Sequence, residues 1–589
     1  MFIYLGSFML NFSSSPFPTA RICTVLALLL LVMRLTAAAQ APAWQSARAV
    51  ATATAAVLGN SSVVAATAVD AAGNVYLAGS FRNTVVMGST TLTSLGEYDV
   101  FVAKFNPASN QFVWAQRAGG TNNDYATALA VSGTSVYVAG DFSSPTAGFA
   151  LTTLSNSTGF RDVFVAKLTD AGSTGSFLWA QQAGGTRDDA ATALAVSGTH
   201  VYVAGYFCSS TAGFGATTLS NPTNSTINPT PDVFVAKLTD AGPTGSFDWV
   251  QRAGGTNSDE ATALVVNGLN VYVAGYFAST TAGFGSITLT NAGTMTGYSN
   301  VFVAKLTDAG SFVWVRQADG GGASALAMSG TDLYVAGSFY SPTTSFGATT
   351  LTNAGANAGT NDVFVAKLTD AGNTGNFVWA QRAGGTASDY ARALAVSGTS
   401  VYVAGHFYSF TAGFGATTLT NSTSISANDM FVAKLLDAGS TGSFMWAQRA
   451  GGTGSDYAYA LVVSGTSVLV SGYLTSPTAS FGAITITNSN SGIPLGFFAS
   501  LTDPTLTATA TAGSREPAAL FPNPARGTAT LRLPAGTPGA PLTLTDALGR
   551  AVRRYPAPAA PETALDLGGL PAGLYLLRGA GPARRLAVE

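Results

Sequence analysis

The chain has 589 residues, of which 47% are hydrophobic and only 10% charged, and a formal net charge of -2. That charged fraction is far below the roughly one quarter typical of soluble domains, and 27 basic residues against 29 acidic ones exclude the basic footprint that nucleic-acid binding requires. The length accommodates several domains, so their number must come from the order of the residues.

Residues 1–39 read as a signal peptide. Arg21 precedes an apolar run from Ile22 to Met33, and Ala37-Ala38-Ala39-Gln40-Ala41 supplies the small residues of a cleavage site. Arg34 ends the run well short of the ~20 apolar residues that span a membrane, so export without a transmembrane helix in the mature protein is expected. Met9 is an alternative start. With Cys23 removed, Cys208 is the one remaining cysteine, which precludes an intrachain disulfide. A packing or passive loop role is expected for it.

Seven tryptophans follow, at Trp44, Trp114, Trp179, Trp249, Trp314, Trp379 and Trp446, with gaps of 70, 65, 70, 65, 65 and 67 residues. The words around them recur: Phe177-Leu178-Trp179-Ala180-Gln181, then Ala-Gly-Gly-Thr, an Ala-rich stretch, Val201-Tyr202-Val203-Ala204-Gly205, and Asp232-Val233-Phe234-Val235-Ala236-Lys237 before the next Trp. A fixed period of this size marks a repeat architecture.

Each unit carries four strand-like segments bounded by turn residues and none with the spacing of an amphipathic helix. After Trp114 these are 126–131, 136–142, 162–168 and 177–181. Val163 and Val165 face one side and Phe164 and Ala166 the other, so the strand is apolar on both faces and belongs between layers. Four such strands make a propeller blade.

An isolated Trp strand at 43–47 lacks its three predecessors, while 458–463, 468–474 and 497–501 lack a fourth strand. Joining the leftovers predicts an all-β fold for residues 40–503: a seven-bladed β-propeller closed by the N-terminal strand. Closure removes the sheet edges that invite aggregation. A string of sandwich domains is the rival, but ~65 residues is short against the ~100 of such a domain; a β-solenoid is the other.

These words resemble the bacterial seven-bladed β-propeller repeats, most fully at Ala68-Val69-Asp70-Ala71-Ala72-Gly73-Asn74-Val75-Tyr76-Leu77-Ala78-Gly79. The resemblance implies the fold and is nearly silent on activity.

Residues 504–517, rich in Pro, Thr, Ala and Gly, read as a linker. Residues 518–589 then read as a small β-sandwich, with strands at 529–533, 542–546, 551–555, 564–567 and 574–577. This tail is similar to the type A C-terminal sorting domain of the type IX secretion system of Bacteroidetes. The similarity rests on Phe521-Pro522-Asn523-Pro524, Leu544-Thr545-Asp546-Ala547-Leu548-Gly549-Arg550, Leu570-Pro571-Ala572-Gly573-Leu574-Tyr575 and the basic close Arg584-Arg585-Leu586. Pro522 and Pro524 are expected to fix an extended entry, Asn523 to favour a turn, and Gly549 and Gly573 to supply positive φ. The family resemblance implies recognition by the type IX translocon and sorting machinery, with delivery to the outer-membrane surface or the medium.

Chemistry is sparse, because the polar residues recur in step with the repeat. All six lysines, at 104, 167, 237, 305, 367 and 434, hold one strand position, with Ser500 in the seventh unit. Their expected role is an aliphatic stem along the strand with its ammonium at a rim; a ring of cationic ligand contacts is the functional alternative. Asp124, Asp189, Asp259, Asp389 and Asp456, and the turn residues Asp170, Asp240, Asp308, Asp370 and Asp437, are expected to accept backbone hydrogen bonds. None has the spacing of a calcium loop, so no cofactor or metal is expected, calcium being the one considered.

His200 and His406 stand at non-equivalent positions and read as surface substitutions. Counting leaves a Ser-His-Asp triad open, although no Gly-x-Ser-x-Gly elbow joins a strand to a helix. Asp188 with Asp189, and Asp259 with Glu260, would serve a glycosidase only if they met across the channel. Departures from the repeat are the better guide to a ligand: Asp319-Gly320-Gly321-Gly322, the loop 221–231, and His406-Phe407-Tyr408-Ser409-Phe410. The reading reached is a monomeric, secreted, cell-surface binding or adhesion scaffold for a glycan or protein, without catalysis. The alternative is a surface hydrolase or lyase on polysaccharide or peptide, acting at the channel mouth.

Overall fold

The computed structural model describes residues 41–51, 59–221, 230–291, 298–355, 359–423, 427–506, 519–521, 523–532, 541–546, 550–558, 562–579 and 581–589. The signal segment 1–39, most of the linker and most of the loop 221–231 lie outside them. The fold is all-β, with no helix among the described residues and hence none long and apolar enough to cross a membrane.

Residues 61–502 build seven antiparallel units. In the second, the strands Asp124–Ser132, Ser135–Phe142, Asp162–Asp170 and Gly175–Gly185 pair in sequence order. Val163, Phe164, Val165 and Ala166 are all 0% exposed, as expected for a strand apolar on both faces. The strand Trp44–Ala49 pairs with Leu495–Thr502, placing Ala47 opposite Ala499 and Arg48 opposite Phe498, and so supplies a fourth strand to the last unit. The first strands of successive units touch one another in order, and the seventh, Asp456–Ser464, touches Ser61–Val69 again.

Each first strand carries a β-bulge: Thr127 is the extra residue between Ala126 and Ala128, and Ala65, Thr192, Thr262, Ser324, Arg392 and Tyr459 stand at its equivalents. The bulge brings the backbone against the second strand and explains the Gly of Val-Tyr-Val-Ala-Gly. A Cβ on Gly140 would sit 1.9 Å from the Tyr125 carbonyl oxygen. Three bulge threonines stitch neighbouring units, Thr127 Oγ1 donating to the Ala191 carbonyl at 2.7 Å, Thr192 to Ala261 at 2.7 Å and Thr262 to Ala323 at 2.8 Å.

The lysines are not rim groups. Lys167 Nζ reaches Asp240 Oδ2 at 2.5 Å, an oxygen that also accepts the Tyr137 hydroxyl at 2.6 Å, while Oδ1 accepts Trp179 Nε1 at 3.1 Å. Asp240 belongs to the turn of the following unit, so this four-residue bolt crosses a junction. Lys104–Asp170, Lys237–Asp308, Lys305–Asp370, Lys367–Asp437 and Lys434–Asp503 repeat the ion pair at 2.6–2.8 Å. The lysines are 4–7% exposed, which leaves no cationic ring for a ligand. Apolar burial made a rim ammonium plausible, but an Asp about 70 residues later takes it inside.

The junction between the last and first units is built differently. Ser500 takes the Lys place, Leu469 the Tyr place and Pro107 the Asp place. Ser46 takes the Trp place and Trp44 that of Phe177, with Gln45 holding the bulge that Leu178 holds in the second unit. Trp44 accordingly meets Phe481 edge-on at 5.1 Å, as Phe177 meets Phe149 at 5.4 Å. Ser46 and Ser500 share a 2.7 Å hydrogen bond, and Phe105, Phe498 and the Arg48 guanidinium, 4.8 Å from the Phe105 ring centroid, fill the seam. Six junctions carry the Lys–Asp ion pair; the seventh has in its place a Ser–Ser hydrogen bond and an arginine against aromatic rings.

Between the second and third strands lies a short hairpin the repeat wording did not reveal, such as Thr211–Phe214 with Thr217–Ser220, which also pairs with the fourth strand of the preceding unit. Antiparallel order then sorts the connections. Turns between strands one and two and between three and four lie at the bolted end, whereas the hairpin loops and Gly-Gly turns lie at the other, here called the mouth.

Residues 519–588 form a three-stranded and a four-stranded sheet around one apolar core that includes Leu531, Leu544, Leu565, Leu577 and Leu586. Of the seven strands, Ala519–Phe521 and Gly581–Val588 were not anticipated.

Candidate ligand pocket at the mouth

Every bulge residue of the first strands is small except two. Arg392 and Tyr459 replace the stitching threonine in consecutive units, and beside them lies a cavity of about 800 Å³ lined by Thr360, Thr386, Ala387, Ser388, Tyr390, Arg392, His406, Tyr408 and Tyr457. Tyr390 and His406 are cross-strand partners, which stacks their rings 5.1 Å apart at 28°. Tyr457, on the next unit's first strand, meets His406 edge-on at 4.7 Å and continues to Tyr473 at 4.8 Å.

Polar groups fix these rings. Tyr408 and Tyr457 hydroxyls are 3.2 Å apart, Asn361 Nδ2 donates to the Tyr390 hydroxyl at 3.1 Å, and the Arg392 guanidinium lies 5.4 Å from the Tyr390 ring centroid. His406 is 2% exposed rather than a surface substitution, and its Nδ1 has no hydrogen-bond partner. Burial, with a smaller contribution from Arg392, lowers its pKa to about 3, so the imidazole is neutral at physiological pH. The pocket thus presents aromatic faces, hydroxyls and one cation, with no carboxylate in its lining.

Across the mouth, Arg161 donates to the Tyr206 hydroxyl at 3.0 Å and approaches Asp188 at 3.4 Å and Asp141 at 3.8 Å. Burial outweighs Arg161 and raises Asp141 to about 7. Sequence reasoning missed this cluster because its members come from three separate words of the repeat. Between the first strands, a smaller cavity of about 250 Å³ is lined by Ala and Leu residues of these strands together with Thr67 and Tyr459.

The other singled-out residues hold structure. Asp189 accepts Ser209 Oγ at 2.8 Å and Asp259 accepts Ser279 Oγ at 2.6 Å, both with backbone amides, so neither meets its sequence neighbour across a channel. Cys208 is buried, its thiol pushed up to about 12 first by burial and then by nearby carboxylates. His200 is part-exposed near Asp248, at 4.0 Å. Gly320 has φ +64 and donates to Asn300 Oδ1 at 2.8 Å, closing the short turn.

In the C-terminal domain Asn523 ties the first turn to the last strand, accepting from Ala587 N at 2.8 Å and donating to the Arg585 carbonyl at 2.9 Å. Pro524 follows it, exposed. Arg550 pairs with Asp546 at 2.8 Å, and the Tyr575 hydroxyl donates to the Pro571 carbonyl at 2.7 Å. Gly573 opens a strand without positive φ, contrary to expectation; Gly569, φ +76, turns the chain there. Pro522 and Gly549 lie outside the described residues. No protein-family model matches the chain, and no curated protein matches it.

Proposed function

We propose that residues 40–503 are a seven-bladed β-propeller acting as a secreted, cell-surface binding scaffold whose ligand is a glycan held at the aromatic pocket. The closed succession of first strands and the N-terminal strand's pairing with the last unit support the ring. The observation that carries the binding role is the concentration of Tyr390, His406, Tyr408 and Tyr457 around one cavity in a chain whose other positions repeat. Aromatic faces interleaved with hydroxyls suit a sugar, which offers apolar C–H faces and hydroxyl edges. A neutral His and a lining without carboxylate favour recognition over hydrolysis.

A glycan screen of the purified protein against Tyr457→Ala and Tyr408→Phe tests this. Binding reduced at least tenfold in Tyr457→Ala and less in Tyr408→Phe is expected, with folding checked by circular dichroism. Equal binding by all three proteins would place the ligand elsewhere.

We further propose that residues 504–589 are a linker and type IX sorting domain directing the protein to the outer surface. The two-sheet core and the Asn523 tie around the resemblance motifs support it.

A further inference from the structure

The third strand of each unit opens on a residue that lies diagonally across, two places off in register, from the residue before the Ala-Gly-Gly word on the fourth strand, and the two vary together within this chain. Asp99 pairs with Arg117 at 2.5 Å, Asp232 with Arg252 at 2.6 Å, Asp362 with Arg382 at 2.5 Å and Asp429 with Arg449 at 2.8 Å. In the fifth pair both members are neutral, Asn300 and Gln317; in the closing unit they are Leu495 and Ala49. One combination breaks the rule: Asp162 stands with Gln182, a carboxylate retained without its cation.

The geometry around Asp162 shows the consequence. Gln182 turns away to clamp Ser155, accepting from its N–H at 3.0 Å and donating to its carbonyl at 3.1 Å. The loop amide that caps Asp99, Asp362 and Asp429, from Leu95, Ala354 and Ser422 at 2.7–3.0 Å, has no counterpart here. Asp162 Oδ1 is buried without a hydrogen-bond partner, as are Oδ1 of Asp99, Asp232 and Asp362. What sets Asp162 apart is therefore the Oδ2 side, where the sister units place an arginine. The residue is 7% exposed where Asp99, Asp232, Asp362 and Asp429 are 0%, and it lines a cavity of about 420 Å³ with Asn156, Thr158, Gln182 and Gly184. A second carboxylate, Asp189, lies behind: a Cβ on Gly184 would be 2.2 Å from Asp162 Oδ1 and 3.1 Å from Asp189 Oδ2. The Arg187 guanidinium is placed over the Phe160 ring, 5.0 Å from its centroid.

We propose that the Asp162 cavity is a binding site for a guanidinium group presented by another polypeptide, the arginine side chain of a partner entering where four sister units place their own. Guanidinium is the chemistry because its planar fork matches a carboxylate and because this fold already accommodates it beside the equivalent Asp. The site stands apart from the aromatic pocket and does not depend on it.

The test measures thermal unfolding of the full chain at pH 8 with increasing acetyl-Gly-Arg-Gly-amide, with the Lys peptide, calcium chloride and sodium chloride as separate arms. A saturable rise with the Arg peptide, exceeding the rise with the Lys peptide and with salt at equal ionic strength, is expected. Asp162→Asn should abolish it, and so should Gln182→Arg, which places a guanidinium in cis and should itself raise the melting temperature. Both variants recreate pairs already present here, Asn300 with Gln317 and Asp232 with Arg252, so folding is expected. A larger response to calcium, no response to any arm, or an undiminished response in Gln182→Arg would each overturn the proposal.

Discussion

Asp240→Ala should be among the most damaging single changes away from the core. It removes the acceptor for Lys167 Nζ at 2.5 Å, the Tyr137 hydroxyl at 2.6 Å and Trp179 Nε1 at 3.1 Å, three donors on the preceding unit. Lys167 is 6% exposed, and deleting one partner of a buried pair typically costs about 3–5 kcal/mol because the other charge is left uncompensated. The junction near the strand ends should fall toward the lower figure. Replacing both charges, Lys167→Met with Asp240→Asn, should cost only about 1 kcal/mol, since a neutral pair needs no counter-ion. The closing junction is a precedent, with all four bolt positions altered together. Urea unfolding followed by Trp fluorescence measures both variants.

The pH dependence of Asp240→Ala is equally constrained. Burial opposes ionisation of Asp240, but Lys167, Tyr137 and Trp179 outweigh it and hold the carboxyl below its usual range. The folded state therefore binds fewer protons than the unfolded chain between the two pKa values, and the bolt's contribution is full above the unfolded value of about 3.9 and lost as pH falls through the folded one. Wild type and Asp240→Ala should converge in acid. A single-variant cost below about 1 kcal/mol at pH 7, or a double variant no better than the single, would refute the reasoning.

Deleting residues 41–50 removes the strand facing Phe497–Leu501 and should lower cooperative stability across all units; calorimetry showing loss of only one small transition would contradict a ring. Asp162 behaves oppositely to the bolts: burial, then Asp189, raises it to about 7. Folding stability should therefore fall as pH rises from about 4 to 7, because the folded state holds the proton the unfolded chain releases. Asp162→Asn should flatten that slope in urea unfolding measured from pH 5 to 8.

Much of the fold was legible because repetition multiplies a weak signal. One strand such as Val163-Phe164-Val165-Ala166 is ambiguous, but seven copies bounded by Gly-containing turns are not. The Trp period misleads at one end: Trp44-Gln45-Ser46 pairs where other units have Phe-x-Trp, so Trp44 occupies a Phe position two residues out of step, which the pairing with Ser500 and Leu501 decides and the spacing alone does not. The surface reading fails for His406 for a different reason. His406 takes a place held elsewhere by Tyr206 and Tyr276, which marked it as variable, and variability was taken for exposure.

The sequence by itself determined the strand content, the unit boundaries, the two leftover ends and the departures from the repeat, since these depend on local pattern and chain order. Only the tertiary structure decided that Lys167 meets Asp240, that Tyr390, His406 and Tyr457 share one cavity, and that Asp162, alone among its sister aspartates, has no arginine beside it. Each of those facts joins residues about 15 to 75 positions apart whose meeting depends on bulges and on how neighbouring sheets pack, and such contacts leave no trace in local periodicity.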